Sequence, residues 1–177
     1  METPNSTVSP SSIVDILTLR YDTSIQPNLP KKTWEDFIPI DKPPSIPSIE
    51  NSICNEIESN LESHSSKDIS IALSGGVDST LVLAIIRKIF PDITINAISI
   101  KFANSVDETI PAARIAEKFG ARQTVIEVEN YLKELPKAIS IIKQPFWDTH
   151  WYYVSKKAQT LSKYLASGDG GDEIFGG

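Results

Sequence analysis

The sequence predicts an α/β protein built on a doubly wound parallel sheet, and three observations predict it. Short apolar runs alternate with stretches of helical apolar spacing from residue 69 to residue 167. The first run leads through a small-residue loop into an apolar helical stretch, the order expected of a central strand and its crossover helix. Seven of the eight glycines lie in two places, Gly75–Gly76 and residues 168–177, which points to close backbone approach rather than scattered turns. Such sheets have right-handed crossovers and bind ligands beyond the carboxyl ends of their strands.

The chain has 177 residues, 40% of them hydrophobic, with a net charge of −6. That suits one domain with an appendage. An acidic chain without a Lys/Arg cluster is a poor nucleic-acid binder. The single cysteine, Cys54, excludes an internal disulfide and a C-x-x-C site, and reads as a small core residue. No apolar segment approaches the length of a membrane span, and the N-terminus lacks the basic and apolar blocks of a signal peptide. A soluble cytoplasmic protein is expected, without nucleic-acid or membrane partners.

Taken in order, residues 1–12 are rich in Ser, Thr and Pro and are expected to be disordered. Residues 13–21 carry helical apolar spacing. Residues 22–47 read as loop, since eight of the 12 prolines precede Ser48. Residues 1–47 are therefore taken as a disordered N-terminus and Pro-rich linker, with Trp34, Phe37 and Ile38 pinning it onto the domain of residues 48–177. Residues 48–64 form an amphipathic helix with Ile49, Ile53, Ile57 and Leu61 on one face. Glu50, Glu56, Glu58 and Glu62 belong to a solvated face; a partner surface is the less economical reading.

The βα alternation begins at residue 69. Ile69, Ile71, Ala72 and Leu73 make a strand, and residues 81–90 a helix apolar almost all round, hence buried. Residues 93–102 are the second strand. Ser105 is expected to cap a helix over 106–119, with Glu108 completing a capping box and Gly120 at its C′ position. Residues 123–128 are the third strand. A helix over 130–143 follows, with Pro136 as kink or boundary. A further helix covers 151–163, and a fourth short strand 164–167. Phe146, Trp147, Trp151, Tyr152 and Tyr153 form an aromatic cluster suited to core packing, or to a substrate wall beside Asp148. His64 and His150 show no ligand spacing and read as surface or packing residues.

The loop after the first strand reads S-G-G-V-D-S from Ser74 to Ser79. The first amides of a helix lack internal partners, and its dipole adds partial positive charge. Without Cβ atoms, Gly75 and Gly76 let backbone N–H groups close around phosphate oxygens. Ser74 and Ser79 add hydroxyl donors. Asp78 would repel a phosphate unless a magnesium ion lies between them, since that hard cation prefers carboxylate and phosphate oxygens. The simpler reading is an ordinary strand–turn–helix with Asp78 or Ser79 as N-cap. No G-x-x-x-x-G-K-[ST] phosphate loop occurs.

The second stretch, residues 167–177, reads S-G-D-G-G-D-E-I-F-G-G. Asp169, Asp172 and Glu173 would repel one another without a cation or cationic substrate. Magnesium shared by Asp78 and Asp172 answers both puzzles. Taken alone, the stretch reads equally as an acidic turn capping the next helix.

The first loop resembles the pyrophosphate-binding loop of the ATP pyrophosphatases, the adenine-nucleotide alpha-hydrolase-like (PP-loop) superfamily. The second resembles the further ATP-site motif of the asparagine synthetase family, S-G-[ED]-G-x-D-E-[IL]-F-G-G. Asp107–Glu108 and the helix from Ala113 through Arg114, Ala116 and Glu117 to Gly120 fit the same family. So do Leu17 to Tyr21 with the Pro-rich stretch, and the likeness covers residues 13–177. The resemblance implies that Leu73 and Ile100 contact adenosine. It implies that Ser74, Gly75, Gly76 and Ser79 hold the pyrophosphate end of ATP, and that Asp78 and Asp172 ligate Mg2+. Ser167 and Gly168 would contact ATP from the facing loop. Asp169, where many relatives have Glu, would lie near the reacting carboxylate as a catalytic residue.

The reaction implied is asparagine synthesis from aspartate, ATP and ammonia through β-aspartyl-AMP, by an AMP-forming carbon–nitrogen ligase. Glutamine-using members begin with a glutaminase domain whose cysteine follows the initiator methionine; here that position is Glu2. The family also continues beyond F-G-G into a catalytic lysine and much of the amino-acid pocket. The chain is therefore expected to be a fragment, or a subunit served by a glutaminase domain or subunit. A nucleotide-binding module without turnover, and another amide-forming ligase on the same fold, remain open alternatives.

Overall fold

The computed structural model describes residues 9–19, 23–24, 33–36, 44–62, 67–103, 105–142 and 150–172. The chain divides into two units, Met1–Pro43 with Ile139–Trp147, and Pro44–Ala138 with Asp148–Gly177.

Among its described residues the first unit contains helix α1 (Pro10–Leu19) and a 3-10 turn, Trp34–Asp36. Residues 10–12, expected to be disordered, open α1. Pro10 stands at the first helical position, where its fixed φ suits the helix and its missing N–H costs no bond. The Thr33 N–H donates to the Asp36 carboxylate at 2.6 Å, closing the 3-10 turn. Phe37, Ile38 and the Trp34 side chain, expected to pin the linker, lie outside the described residues.

The second unit opens with helix α2 (Ile46–Glu62), which starts two residues before the expected boundary. Pro47 is tolerated there because the first turn needs no N–H. Ile57 and Leu61 turn inward against the core, as the fourfold spacing predicts. Strands β1 (Asp68–Ala72), β2 (Thr94–Phe102), β3 (Arg122–Val128) and β4 (Leu165–Ala166) form one parallel sheet in the order β3-β2-β1-β4. Ile71 stands beside Ala97 on one flank and Ala166 on the other.

Alternation along the strands sorts the core into two layers. Ile69, Ile71 and Leu73 of the first βα unit join Ile95 and Ala97 of β2 on one face. There they pack against Leu83 and Ile86 of α3 (Val77–Ile89) and Ala112 and Ala116 of α4 (Thr109–Lys118). Ala72, Ile98 and Leu165 face the other way, against Val154 and Ala158 of α6 (His150–Ala158). The Arg87 guanidinium fastens the end of α3, donating to the carbonyls of Pro91 (2.6 Å), Ile93 (2.9 Å), Phe119 (2.8 Å) and Gly120 (3.1 Å).

Several boundaries differ from the sequence reading, each for a local reason. Helix α3 begins at Val77 and leaves Leu81 exposed, so only its sheet-facing side is buried. Helix α4 begins at Thr109 rather than 106. The Asp107 carboxylate takes the Thr109 N–H at 3.0 Å, while Ser105 bonds the Phe102 carbonyl, so no capping box forms. Gly120 does take the left-handed conformation expected of a C′ residue, with φ +63°. The expected helix over 130–143 is split into a 3-10 turn, Tyr131–Lys133, and α5 (Leu135–Ile142). The Asn130 side chain accepts from the Leu132 N–H and closes that turn locally. Helix α6 ends at Ala158, five residues early, and Ser162 then bonds Ser70 (2.6 Å) and the Tyr164 carbonyl (2.8 Å). Among the described residues no helix is long and apolar enough to cross a membrane.

Candidate functional site

Strand β1 has β2 on one side and β4 on the other, so the chain order reverses at β1. The crevice at such a switch point is where open α/β sheets bind ligands. Both glycine-rich loops leave the sheet at this point, one after β1 and one after β4.

The β1–α3 loop is held open from within. Gly76 is the N-cap of α3, and no side chain caps the helix. Neither Asp78 nor Ser79 is the N-cap, which removes the capping explanation for this motif. Gly75 has φ +88°, and a Cβ on it would stand 3.2 Å from the Ala112 nitrogen of α4. Only glycine fits both the conformation and the gap. The Ser74 hydroxyl lies 3.2 Å from that of Ser79 and accepts from the Gly76 N–H. The Thr80 hydroxyl donates to the Gly76 carbonyl at 2.7 Å.

The β4 loop lies directly on this turn. An ideal Cβ at Gly168 would stand 2.5 Å from the Ser79 nitrogen and 2.7 Å from the Asp78 carbonyl carbon. One at Gly171 would stand 2.5 Å from Asp78 Oδ1. The glycines of the second motif thus make room for the first.

Together the loops bound a cleft of about 200 Å³. Leu73, Ile98, Ile100 and Val154 supply apolar lining, and Ser74, Asp78, Ser79, Ser167, Gly168 and Asp169 polar lining. An adjoining cavity of about 310 Å³ shares Asp78, Gly168 and Asp169 and adds Gly170, Gly171 and Asp172. Gly75 and Gly76 shape the loop without lining either space. The other nine residues picked out from the sequence line one space or the other.

Leu73 is held by a chain of hydrogen bonds across the strands. Its N–H donates to the Ile98 carbonyl at 2.9 Å, and its carbonyl accepts from the buried Ser99 hydroxyl at 2.8 Å. The Gln123 amide donates to Ser99 (3.1 Å) and to the Thr109 carbonyl (3.0 Å), tying the start of α4 to the same network. Just before α4, Asp107 pairs with Lys101 at 2.7 Å. That ammonium, then the Thr109 hydroxyl and N–H, hold the Asp107 carboxyl at about 2.

The donor set suits magnesium. Asp78 and Asp172 line one cavity, and among the described residues no Lys, Arg or His forms an ion pair with either. No group of three or more His, Cys, Asp or Glu among the described residues makes a complete metal site. Magnesium is commonly held by one or two carboxylates, with phosphate oxygens and water completing its shell.

Among the lining residues not singled out as site residues from the sequence are Glu108, His150 and Trp151. His150, read from the sequence as a surface or packing residue, lines both spaces. Trp151 combines both roles considered for it, packing against the Ile98–Val154–Ala158 cluster and walling the cleft. Helix periodicity signals neither position, since both face the cleft through the placement of α6. Glu108 was read as a capping residue; it is exposed and forms no side-chain cap. Phe146, Trp147, Asp148 and Glu173 lie outside the described residues, as does His64.

The asparagine synthase family model matches residues 60–177. Glutamine-hydrolyzing asparagine synthetase 1 of Bacillus subtilis is 30% identical over 124 residues, which is 67% of this chain and 19% of that protein. The chain spans about a fifth of the length of the curated relatives it matches. Among solved structures, the glutamine-dependent NAD+ synthetase of Acinetobacter baumannii, determined with ADP, superposes with a TM-score of 0.55 at 16% identity. The match covers 77% of this chain and 29% of that one. The NH3-dependent NAD synthetase of Campylobacter jejuni gives 0.52 at 16% identity, over 71% of this chain and 57% of that one. These structures share the fold expected from the sequence, a doubly wound parallel sheet of the PP-loop adenine-nucleotide alpha-hydrolase type.

Proposed function

The chain belongs to the asparagine synthase family, and from that premise we propose that its cleft binds ATP and activates a carboxylate, that of aspartate, for amide formation. One observation carries the reading: Gly168 and Gly171 pack onto Asp78 and Ser79, so the two motifs bound a single cleft at the sheet's switch point.

In this reading Leu73 and Ile100 contact the adenosine. The Gly75–Gly76 backbone, with the Ser74 and Ser79 hydroxyls, receives the β- and γ-phosphates, and Ser167 and Gly168 close over the nucleotide. An oxygen of the aspartate side chain attacks the α-phosphorus, the α–β anhydride bond breaks, and pyrophosphate leaves. Ammonia then attacks the acyl carbon of β-aspartyl-AMP, the acyl–oxygen bond breaks, and AMP departs with asparagine formed. The ammonia comes from solution or from a glutaminase domain or subunit. Asp78 and Asp172 would hold magnesium, which supplies charge neutralisation on the phosphates. Asp169, in the lining of both spaces, is the candidate catalytic carboxylate beside the reacting group. The rate gain comes from positioning and from donors aimed at developing charge.

Aspartate-dependent exchange of labelled pyrophosphate into ATP tests this reading. Exchange that requires aspartate supports it. ATP binding without exchange under any acid identifies a nucleotide-binding module, and exchange driven by a different acid identifies another ligase of the same fold.

A further inference from the structure

We propose that His150 is a positioning residue for the anionic end of the nucleotide, an imidazole N–H donor at the boundary of the two spaces whose described lining carries Asp78, Glu108, Asp169 and Asp172. The inference rests on the reading of the cleft as an ATP site and deepens it.

The charge balance of the lining poses the problem. Asp78, Glu108, Asp169 and Asp172 all line the two connected spaces. Among the described lining residues there is no Lys or Arg, and His150 brings the one imidazole. Hydroxyl and backbone donors are neutral, and two carboxylates would be engaged by a divalent cation. A polyphosphate entering this space gains most from a further charged or N–H donor.

The placement of His150 suits that task. It is the first residue of α6 and half-buried, at the junction between the apolar part of the cleft and its carboxylate-rich extension. Its ring lies 5.2 Å from that of Trp151, tilted by 43°. Trp151 in turn is seated against Ile98 and Val154, which fixes the start of α6 to the sheet. Among the described residues no hydrogen bond or ion pair engages the imidazole.

Calorimetric titration of the full chain with MgATP and, separately, with adenosine tests the role. His150→Ala should weaken MgATP about tenfold and leave adenosine unchanged, because only the phosphates lose an N–H donor. His150→Lys should recover part of the loss. Unchanged MgATP affinity in His150→Ala overturns the inference while leaving the ATP site standing. Equal weakening of both ligands also overturns it, by assigning His150 to packing. Absence of MgATP binding by the wild-type chain overturns the site reading and the inference together.

Discussion

The backbone at Gly168 lies so close to the first turn of α3 that a Cβ on it would stand 2.5 Å from the Ser79 nitrogen. A contact that short is with backbone and cannot be relieved by a rotamer change. The β4 loop therefore rests on the β1 loop at this point, and the cleft depends on the missing side chain.

Gly168→Ala should accordingly lower stability by about 1–3 kcal/mol, the usual cost of overpacking, and weaken ATP binding as the loops part. Gly171→Ala should behave differently. Its added Cβ would meet the Asp78 carboxylate, 2.5 Å from Oδ1, and a short side chain can swing away. Stability should fall less than for Gly168→Ala, while the magnesium dependence of ATP binding should suffer more. Urea denaturation and MgATP titration of both variants check the contrast. Equal losses on both measurements would contradict it.

Ser99 is buried, and its hydroxyl bonds the Leu73 carbonyl while accepting from Gln123. Ser99→Ala removes this donor from the Leu73 carbonyl and leaves Gln123 with the Thr109 carbonyl. It should cost about 1–3 kcal/mol by urea denaturation, the range for buried groups left unsatisfied. Adenosine affinity should fall with it, because Leu73 loses its anchor. Gln123→Ala should reproduce part of the effect. An unchanged denaturation midpoint in Ser99→Ala would remove the network from the account.

Asp107 sets the start of α4, and its carboxyl is lowered from an ordinary 3.8 to about 2, chiefly by the Lys101 ammonium. A lowered folded-state value means the folded chain favours the ionised form. The resulting stabilisation is complete above the ordinary carboxylate range and fades as pH falls from about 4 through about 2. Asp107→Asn should therefore be less stable than wild type at neutral pH, with the gap narrowing across that window. Denaturant midpoints measured along the pH series check the sign; a gap that widens on acidification would contradict it.

Much of this was legible in the residues, because its causes are local. Ile69, Ile71 and Leu73 alternate with the period of a strand, and Ile49, Ile53, Ile57 and Leu61 with that of a helix. The glycine pairs announced close approach, and the structure supplies the neighbours: Ala112 for Gly75, and Asp78 with Ser79 for the second loop. What was not legible depends on contacts between distant segments or on competing local bonds. The start of α4 was misplaced because Asp107, not Ser105, captures the Thr109 N–H. Trp151 and His150 reach the cleft only because α6 packs across β1 and β2. Ser99 did not stand out in a strand that also carries Thr94, Asn96 and Lys101, and it is the bond to Leu73 that gives its hydroxyl meaning.

The central claim is that two distant glycine-rich loops share one nucleotide, with an acid from each directed at the same cation. Calorimetric titration of MgATP into the wild-type chain, Asp78→Ala and Asp172→Ala tests it most directly. The account predicts binding by the wild type that requires magnesium, and a loss of at least about tenfold in each variant. Variants that bind MgATP as tightly as the wild type would contradict it.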